Sequence, residues 1–248
     1  MKEIQQDKQQ LKIAIFLPSL EHGGAERRMV LFAIALQRKG YQVEVIALRA
    51  QGAFVQTLSE AGVVIRNVGK QGRFDILRTA FKARQFFKSQ SYHAVFSCLP
   101  SANVFSIMCK TVSLKTPLIW GLAAADMPMH EYSVWARLGD RVQRLASRFA
   151  NKIVINSNKG FLVALNQGFS GQKMEIIHNG VDIEHFVLNK QLGNVWRSQL
   201  NIPVNSKVVG VVARLDPAKG LKTFIQAAEL AYKTDWYFII FALSLIHI

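Results

Sequence analysis

Cysteine is almost missing from this chain. Cys98 and Cys109 are the only two in 248 residues, which excludes a disulfide framework and a zinc site built on cysteines. Acid is short as well: 31 Lys+Arg stand against 16 Asp+Glu, a formal charge of +15. An excess of that size points to an anionic partner, whether nucleic acid, a membrane surface or a phosphorylated substrate. Long apolar runs are lacking too. The longest uncharged one, Trp236 to Ile248, falls well below the ~18–20 residues needed to cross a bilayer. A secretory signal is also absent, because Met1–Gln10 is Gln-rich with mixed charge and the first apolar run, Leu11–Leu17, stops at Pro18 with no small-residue cleavage site. These absences predict a soluble, cytoplasmic protein whose residues 1–10 are disordered.

What the chain has is apolar residues, 50% of the total with 19% charged, too many for a disordered chain. They come in strand-length runs that alternate with helix-period segments. Leu11–Leu17, Val43–Leu48, Val63–Val68, Ala94–Ser97, Leu118–Trp120, Lys152–Ile155 and Met174–Ile177 read as strands, most of them continuous enough to be buried on both faces. Between them, Ala25–Arg38, Ala53–Ala61, Ile76–Ser89, Ala102–Val112, Glu131–Ala150 and Lys159–Asn166 carry helical spacing. Repeated βα units with short connections predict a doubly wound parallel sheet with helices on both faces. A polar helix and a turn follow over Asn189–Asn205, then Val208–Val212, a helix at Leu221–Tyr232 and a strand from Trp236. The expectation is one complete Rossmann-like domain at residues 11–188 and the opening βαβ of another at 189–248, too short to close a core alone.

Three segments could carry chemistry. Glu21-His22-Gly23-Gly24-Ala25-Glu26 lies where the first strand gives way to a helix, the edge at which open α/β sheets bind ligands. Helix N–H groups there favour an anion, and glycines let a ligand approach the backbone. The spacing is neither the dinucleotide fingerprint nor a phosphate-binding Walker loop, and a tight turn with no ligand explains it equally well. Ile177 to Phe186, with Asn179-Gly180, reads by itself as a turn, and Asp182 as an N-cap. In Val211 to Gly220, a buried strand ends in Arg214 and Lys219 opens the next helix. Two cations at a carboxyl edge suit a diphosphate.

Taken in order, Gly23-Gly24-Ala25-Glu26, Asn179-Gly180-Val181-Asp182 with Phe186, and Arg214-Leu215-Asp216-Pro217-Ala218-Lys219-Gly220 resemble the family-4 retaining glycosyltransferases of the GT-B fold. Ile119-Trp120-Gly121-Leu122 through Asp126-Met127, and Ile153-Val154-Ile155-Asn156-Ser157, add to the likeness, which runs from about Leu11 to Trp236. The resemblance implies two Rossmann-like domains, the first for the acceptor and the second for a nucleotide-sugar donor. It also implies transfer to a cell-surface glycan or lipid-linked acceptor with retention, with no metal and no cofactor beyond the nucleotide-sugar itself. Arg214 and Lys219 would be the catalytic cations on the donor's diphosphate, and Gly23, Gly24, Asn179 and Gly180 the donor- or acceptor-binding positions. Two departures stand out. Many relatives carry a His or Arg where this chain has Ala123, and His130 nearby is out of register. The family's Glu-rich donor motif would lie past Ile248, so a half-built donor site that transfers little or no sugar is expected of the chain as written.

The charge collects in two helical segments. Arg78, Lys82, Arg84 and Lys88 lie in one; Arg137, Arg141, Arg144 and Arg148 recur in the other at spacings of three and four, interleaved with Trp135, Leu138, Val142 and Leu145. Such helices suit an anionic membrane face, which places the protein at the periphery of the inner membrane surface, or plain solvation. A nucleic-acid or other polyanion-binding Rossmann-like protein is the alternative outside enzymes, but Phe16, Phe32, Phe54, Phe96 and Phe161 fall at core rather than exposed positions. The alternatives among enzymes are other GT-B members, a nucleotide-sugar epimerase or a sugar-phosphate synthase. The histidines His22, His93, His178 and His185 show no metal-ligand spacing.

Overall fold

A computed structural model describes residues 11–72, 75–122, 134–181, 183, 186–215, 219–232 and 235–243. Residues 1–10, expected to be disordered, lie outside this set. The chain divides into two compact units, Met1–Gly180 and Val181–Ile248.

The first unit is a seven-stranded sheet in the order β3-β2-β1-β4-β5-β6-β7. Its strands are β1 (Lys12–Ser19), β2 (Gln42–Arg49), β3 (Val64–Asn67), β4 (Ala94–Cys98), β5 (Leu118–Leu122), β6 (Lys152–Ile155) and β7 (Met174–Ile176). Every neighbouring pair runs parallel. The helices between them are α1 (Gly24–Arg38), α2 (Phe54–Glu60), α3 (Ile76–Ser89), α4 (Pro100–Ser106), α5 (Val134–Ala146) and α6 (Asn158–Asn166).

The continuous apolar runs explain the two-sided burial. Successive side chains of a strand point to opposite faces, and β1 feeds both. Ala14 and Phe16 join Ile46, Leu48, Val95, Trp120 and Ile153 in one core. Ile15 and Leu17 join Val45, Ala47, Val30, Ala33 and Leu58 in the other. A polar residue at any of these positions would face a helix instead of water, so such strands are apolar throughout rather than alternating. Phe16 is fully buried, and Phe32, though 37% exposed, packs edge-on against Phe96 at 5.5 Å, so these phenylalanines serve packing. At the end of α1, Lys39 is followed by Gly40 at φ +89°, the left-handed turn that only glycine makes without strain.

The sheet order fixes where a ligand can lie. From β1 the chain moves one way to β2 and β3, then returns to place β4 on the other side of β1. The carboxyl ends of β1 and β4 therefore diverge into a crevice. Ser97 and Cys98 end β4 there, and a buried polar network braces them. Ser97 Oγ donates to Asn103 Oδ1 at 2.7 Å, Asn103 Nδ2 donates to the Gly121 carbonyl at 3.2 Å, and Trp120 Nε1 donates to Ser106 Oγ at 3.0 Å.

The second unit holds α7 (Lys190–Gln199), β8 (Lys207–Arg214), α8 (Leu221–Ala231) and β9 (Trp236–Leu243). Asn189 caps α7 by accepting the Leu192 N–H at 2.9 Å. Strands β8 and β9 pair in parallel, from Lys207 with Trp236 to Arg214 with Leu243. Among the described residues of this unit only Ile202 is buried, while Val212, Ile225 and Phe241 stand exposed.

Candidate functional site

Strand β1 ends at Ser19, and α1 begins at Gly24 after a short turn at the crevice. Gly23 is the N-cap, extended at φ −155° and ψ 150°, and its carbonyl accepts the Arg27 N–H at 2.9 Å. A Cβ there would displace the Glu26 carboxylate, the end of a flexible side chain. Gly24 has no such neighbour. Among the described residues nothing lies within 4 Å of a Cβ built on it, and its backbone is helical. Glycine in a helix gives up as much as ~1 kcal/mol relative to alanine, and at Gly24 it leaves open space at the sheet edge in return.

One cation organises this edge. Arg28 Nε donates to the Gly24 carbonyl at 3.1 Å, and its Nη1 donates to Asn179 Oδ1. Asn179 comes from the far side of the sheet: after β7, Ile177 N–H donates to Ile155 O at 2.8 Å and His178 Nδ1 lies 3.2 Å from Asn156 O. The segment thus passes the end of β6 and reaches α1. Burial pushes the thiol of Cys98, at the end of β4, up to about 11, and the Arg28 charge acts the other way. Arg28 was not among the residues singled out from sequence. The available signal was its charge: Arg27-Arg28 puts two cations near the start of a helix, the end where the dipole disfavours them.

Of the positions implied by resemblance, the structure therefore links Gly24 and Asn179 through Arg28, with Gly23 adjacent and Gly180 exposed next to Asn179. Arg214 and Lys219 belong to the second unit. Arg214 is the last residue of β8, and Lys219 is exposed on the turn that follows. Lys219 does not open the helix as expected: α8 starts at Leu221, and Gly220, left-handed at φ +64°, is its N-cap. Ala123, Asp126, Met127, His130, Asp182, Glu184, His185 and residues 216–218 lie outside the described set.

The other candidates resolve into packing. His22 sits edge-on to Phe54 at 5.6 Å. Cys98 and Cys109 are buried free thiols, and burial pushes Cys109 up to about 12. Of the basic stripe expected along α5, one member is tied to the fold. Arg144 pairs with Asp140 at 3.4 Å and donates to Gln167 O at 2.9 Å, so it is spent on the fold. Gln143 is buried, while Leu138, Val142 and Leu145, the apolar residues interleaved with the stripe, are exposed together with Arg141 and Arg148.

The sequence matches glycosyltransferase family 4 over residues 22–185, more than half of the chain. Two Campylobacter jejuni proteins are similar. One is N-acetylgalactosamine-N,N'-diacetylbacillosaminyl-diphospho-undecaprenol 4-alpha-N-acetylgalactosaminyltransferase, 26% identical over 90% of this chain and 60% of its own length. The other is GalNAc-alpha-(1->4)-GalNAc-alpha-(1->3)-diNAcBac-PP-undecaprenol alpha-1,4-N-acetyl-D-galactosaminyltransferase, 32% identical over 44% of this chain and 31% of its own. Among solved structures, Anabaena HepE in complex with UDP-glucose superposes with a TM-score of 0.76 at 23% identity, over 93% of this chain and 60% of HepE, a likeness of fold. The chain thus spans 60% or less of these relatives' lengths. By the match over residues 22–185 and the doubly wound sheet that carries it, the chain belongs to glycosyltransferase family 4.

Proposed function

We propose that this chain supplies the acceptor-side domain, residues 11–188, and the first part of the nucleotide-sugar domain, residues 189–248, of a retaining glycosyltransferase acting on a lipid-linked glycan. The observation that carries the reading is the open space at Gly24, held at the crevice by Arg28 and Asn179. The relatives support the substrates: both C. jejuni names specify undecaprenol-linked acceptors, and HepE is solved with UDP-glucose. Family membership favours none of the alternatives, neither an epimerase or synthase nor a polyanion binder.

In this mechanism the nucleoside diphosphate leaves the anomeric carbon with the electron pair of the broken C–O bond. Arg214 and Lys219 stabilise the charge that develops on its phosphates, the task a divalent metal performs in other transferases. Gly23, Gly24, Asn179 and Gly180 contact the sugar or the acceptor. At the membrane, α3 offers Leu77, Phe81, Arg84 and Lys88 at spacings of four, three and four, all exposed. One apolar and cationic stripe of that kind suits an anionic bilayer surface. No helix among the described residues is long and apolar enough to cross a membrane.

Thermal-shift titration with a panel of nucleoside diphosphates tests the donor half. One of them raises Tm in the wild type, Arg214→Gln and Lys219→Gln weaken it tenfold or more, and EDTA changes nothing. Equal binding by Arg214→Gln, or loss on EDTA treatment, refutes the reading. Sedimentation with anionic vesicles at low and high salt tests the membrane half, and no binding at either refutes it.

A further inference from the structure

The geometry points to a second anion site, separate from the glycine crevice, that takes a phosphate or diphosphate group at the carboxyl ends of β2 and β3. A cavity of about 350 Å³ opens there, lined by Arg49, Asn67, Gly69, Lys70 and Gln71 among others. It lies on the ligand-binding edge of the sheet, and its lining carries cations and amide donors but no carboxylate.

The side-chain amides show why. Asn67 Oδ1 already accepts two backbone N–H groups, from Ala50 at 3.1 Å and from Gly69 at 2.9 Å. Gln71 Oε1 accepts from Arg78 Nη1 at 3.0 Å. Asn67 and Gln71 thus have their acceptors engaged by the protein, and their –NH₂ donors remain. Among the described residues the Arg49 guanidinium has no hydrogen-bond or ion-pair partner, and Lys70 Nζ donates to a single carbonyl, that of Gly72. From α3, Lys82 Nζ comes close enough that a Cβ on Gly69 would lie 3.4 Å from it. Gly69 is itself left-handed at φ +74°. Two cations, Arg49 and Lys70, thus line the cavity with no carboxylate beside them, and Arg78 and Lys82 reach its lining residues Gln71 and Gly69 from α3. The nearby acid, Asp75, is occupied by the Gln71 N–H at 3.1 Å.

Unpaired donors of like charge repel one another, and an anion carrying several acceptor oxygens both relieves the repulsion and satisfies the donors. Phosphate and diphosphate meet that description. Resting on the reading above, the diphosphate is the one that joins the acceptor glycan to its lipid; the donor's diphosphate belongs with Arg214 and Lys219.

Calorimetric titration of the protein with inorganic diphosphate, and separately with farnesyl diphosphate, tests the site. The Arg49→Gln/Lys70→Gln variant weakens binding tenfold or more, while Arg214→Gln leaves it within twofold. Asn67→Asp is the second variant: it keeps both acceptor bonds that shape the loop but replaces the donor by a carboxylate, so it loses diphosphate with its Tm intact. Tighter binding of farnesyl diphosphate than of inorganic diphosphate assigns the site to a lipid-borne group, and equal binding assigns it to a free one. Unchanged affinity in both the Arg49/Lys70 and the Asn67 variants overturns the site. Nucleoside diphosphate binding, measured on the same variants, stays at the wild-type level, so the donor reading and this one fail separately.

Discussion

Replacing Gly23 and Gly24 one at a time by alanine should move stability in opposite directions, and binding should not follow stability. At Gly24 the new methyl enters open space. The helix loses a glycine, a gain of as much as ~1 kcal/mol, less at a first turn than in the interior. For a domain of this size ~1 kcal/mol is roughly 2–4 °C in Tm, so Gly24→Ala melts at the wild-type temperature or up to a few degrees above it. At Gly23 the methyl meets the Glu26 carboxylate, the end of a flexible side chain that can swing away. The cost is then that of placing alanine at an N-cap where glycine is favoured, about 0.5–1 kcal/mol, or a fall of roughly 1–4 °C. If the space over Gly24 belongs to substrate, the stabler variant is the one that binds worse. A ligand at 100 times its Kd raises stability by about 2.7 kcal/mol, and a tenfold loss of affinity reduces that to about 1.4 kcal/mol. Differential scanning fluorimetry with and without nucleotide-sugar, or with a lipid-diphosphate acceptor analogue, resolves the difference. A Gly24→Ala protein that keeps its full ligand-induced shift refutes the argument, as does one that loses more than ~1 kcal/mol without ligand.

The remaining predictions concern the scaffold. Burial would raise the Glu44 carboxyl, but hydrogen bonds from Arg66, Lys12 and Tyr92 outweigh it and hold the group below its ordinary 4.5. A depressed carboxyl stabilises the fold above about pH 4.5 and loses that contribution as pH falls through the lower folded value. Glu44→Gln, which leaves Lys12 and Arg66 without their buried partner, should cost about 2–3 kcal/mol at pH 7 and flatten the acid side of a urea-stability profile; an unaltered acid limb would count against the pairing. Asn103→Ala removes the buried donor to the Gly121 carbonyl and leaves Ser97 Oγ with Ser106 Oγ alone, costing about 1–3 kcal/mol by urea unfolding, and a loss below ~1 kcal/mol means water replaces the amide. Gly121→Ala sets a methyl 3.1 Å from Cys98 Sγ and 3.3 Å from a ring carbon of Phe96, an overpacking of about 1–3 kcal/mol that shows as a lower Tm. With their thiols pushed up to about 11 and 12 by burial, Cys98 and Cys109 should react with a thiol reagent at pH 8 only as fast as the protein opens, and rapid labelling of the folded form contradicts their placement.

The fold was legible because its strands are buried on both faces. A run such as Ile13–Leu17 cannot alternate with polar residues when both sides carry helices, so its length and its glycine stops can be read directly from the sequence. The site was legible only where covalent neighbours carry it. Gly23-Gly24 and Arg214 sit at strand ends and could be placed by counting. Arg28 with Asn179 could not, because 151 positions separate them and only the strand order returns the segment after β7 to α1. The cavity at β2 and β3 was hidden for another reason. Asn67 and Gln71 look like ordinary loop amides, and they become a pair of donors only once Ala50, Gly69 and Arg78 have taken their oxygens. Helical periodicity was misleading for Arg144: spacing showed it on the stripe of Arg141 and Arg148, but it could not show that a glutamine carbonyl would be within its reach.

The charge of +15 then resolves into separate tasks, and the division bears on the partner. Lys12 and Arg66 neutralise Glu44, while Lys173 closes the carbonyls of Arg148 and Ala150 at 2.6 and 2.9 Å, so these cations are structural. Arg28, Arg49, Lys70 and Lys82 gather along one edge of the sheet among small cavities and open glycine backbone. Arg84 and Lys88 stand with Leu77 and Phe81 on an exposed helical stripe. A protein that tracks a nucleic-acid backbone needs its cations spread along one groove with aromatics between them. Here the edge cations converge on spaces the size of a few phosphates, and the aromatic residue beside the outer ones lies on the same stripe as a leucine. Local convergence suits a small phosphorylated group and an apolar–cationic stripe suits a bilayer, so the excess charge is better matched to a substrate that combines the two, a diphosphate carried on a lipid.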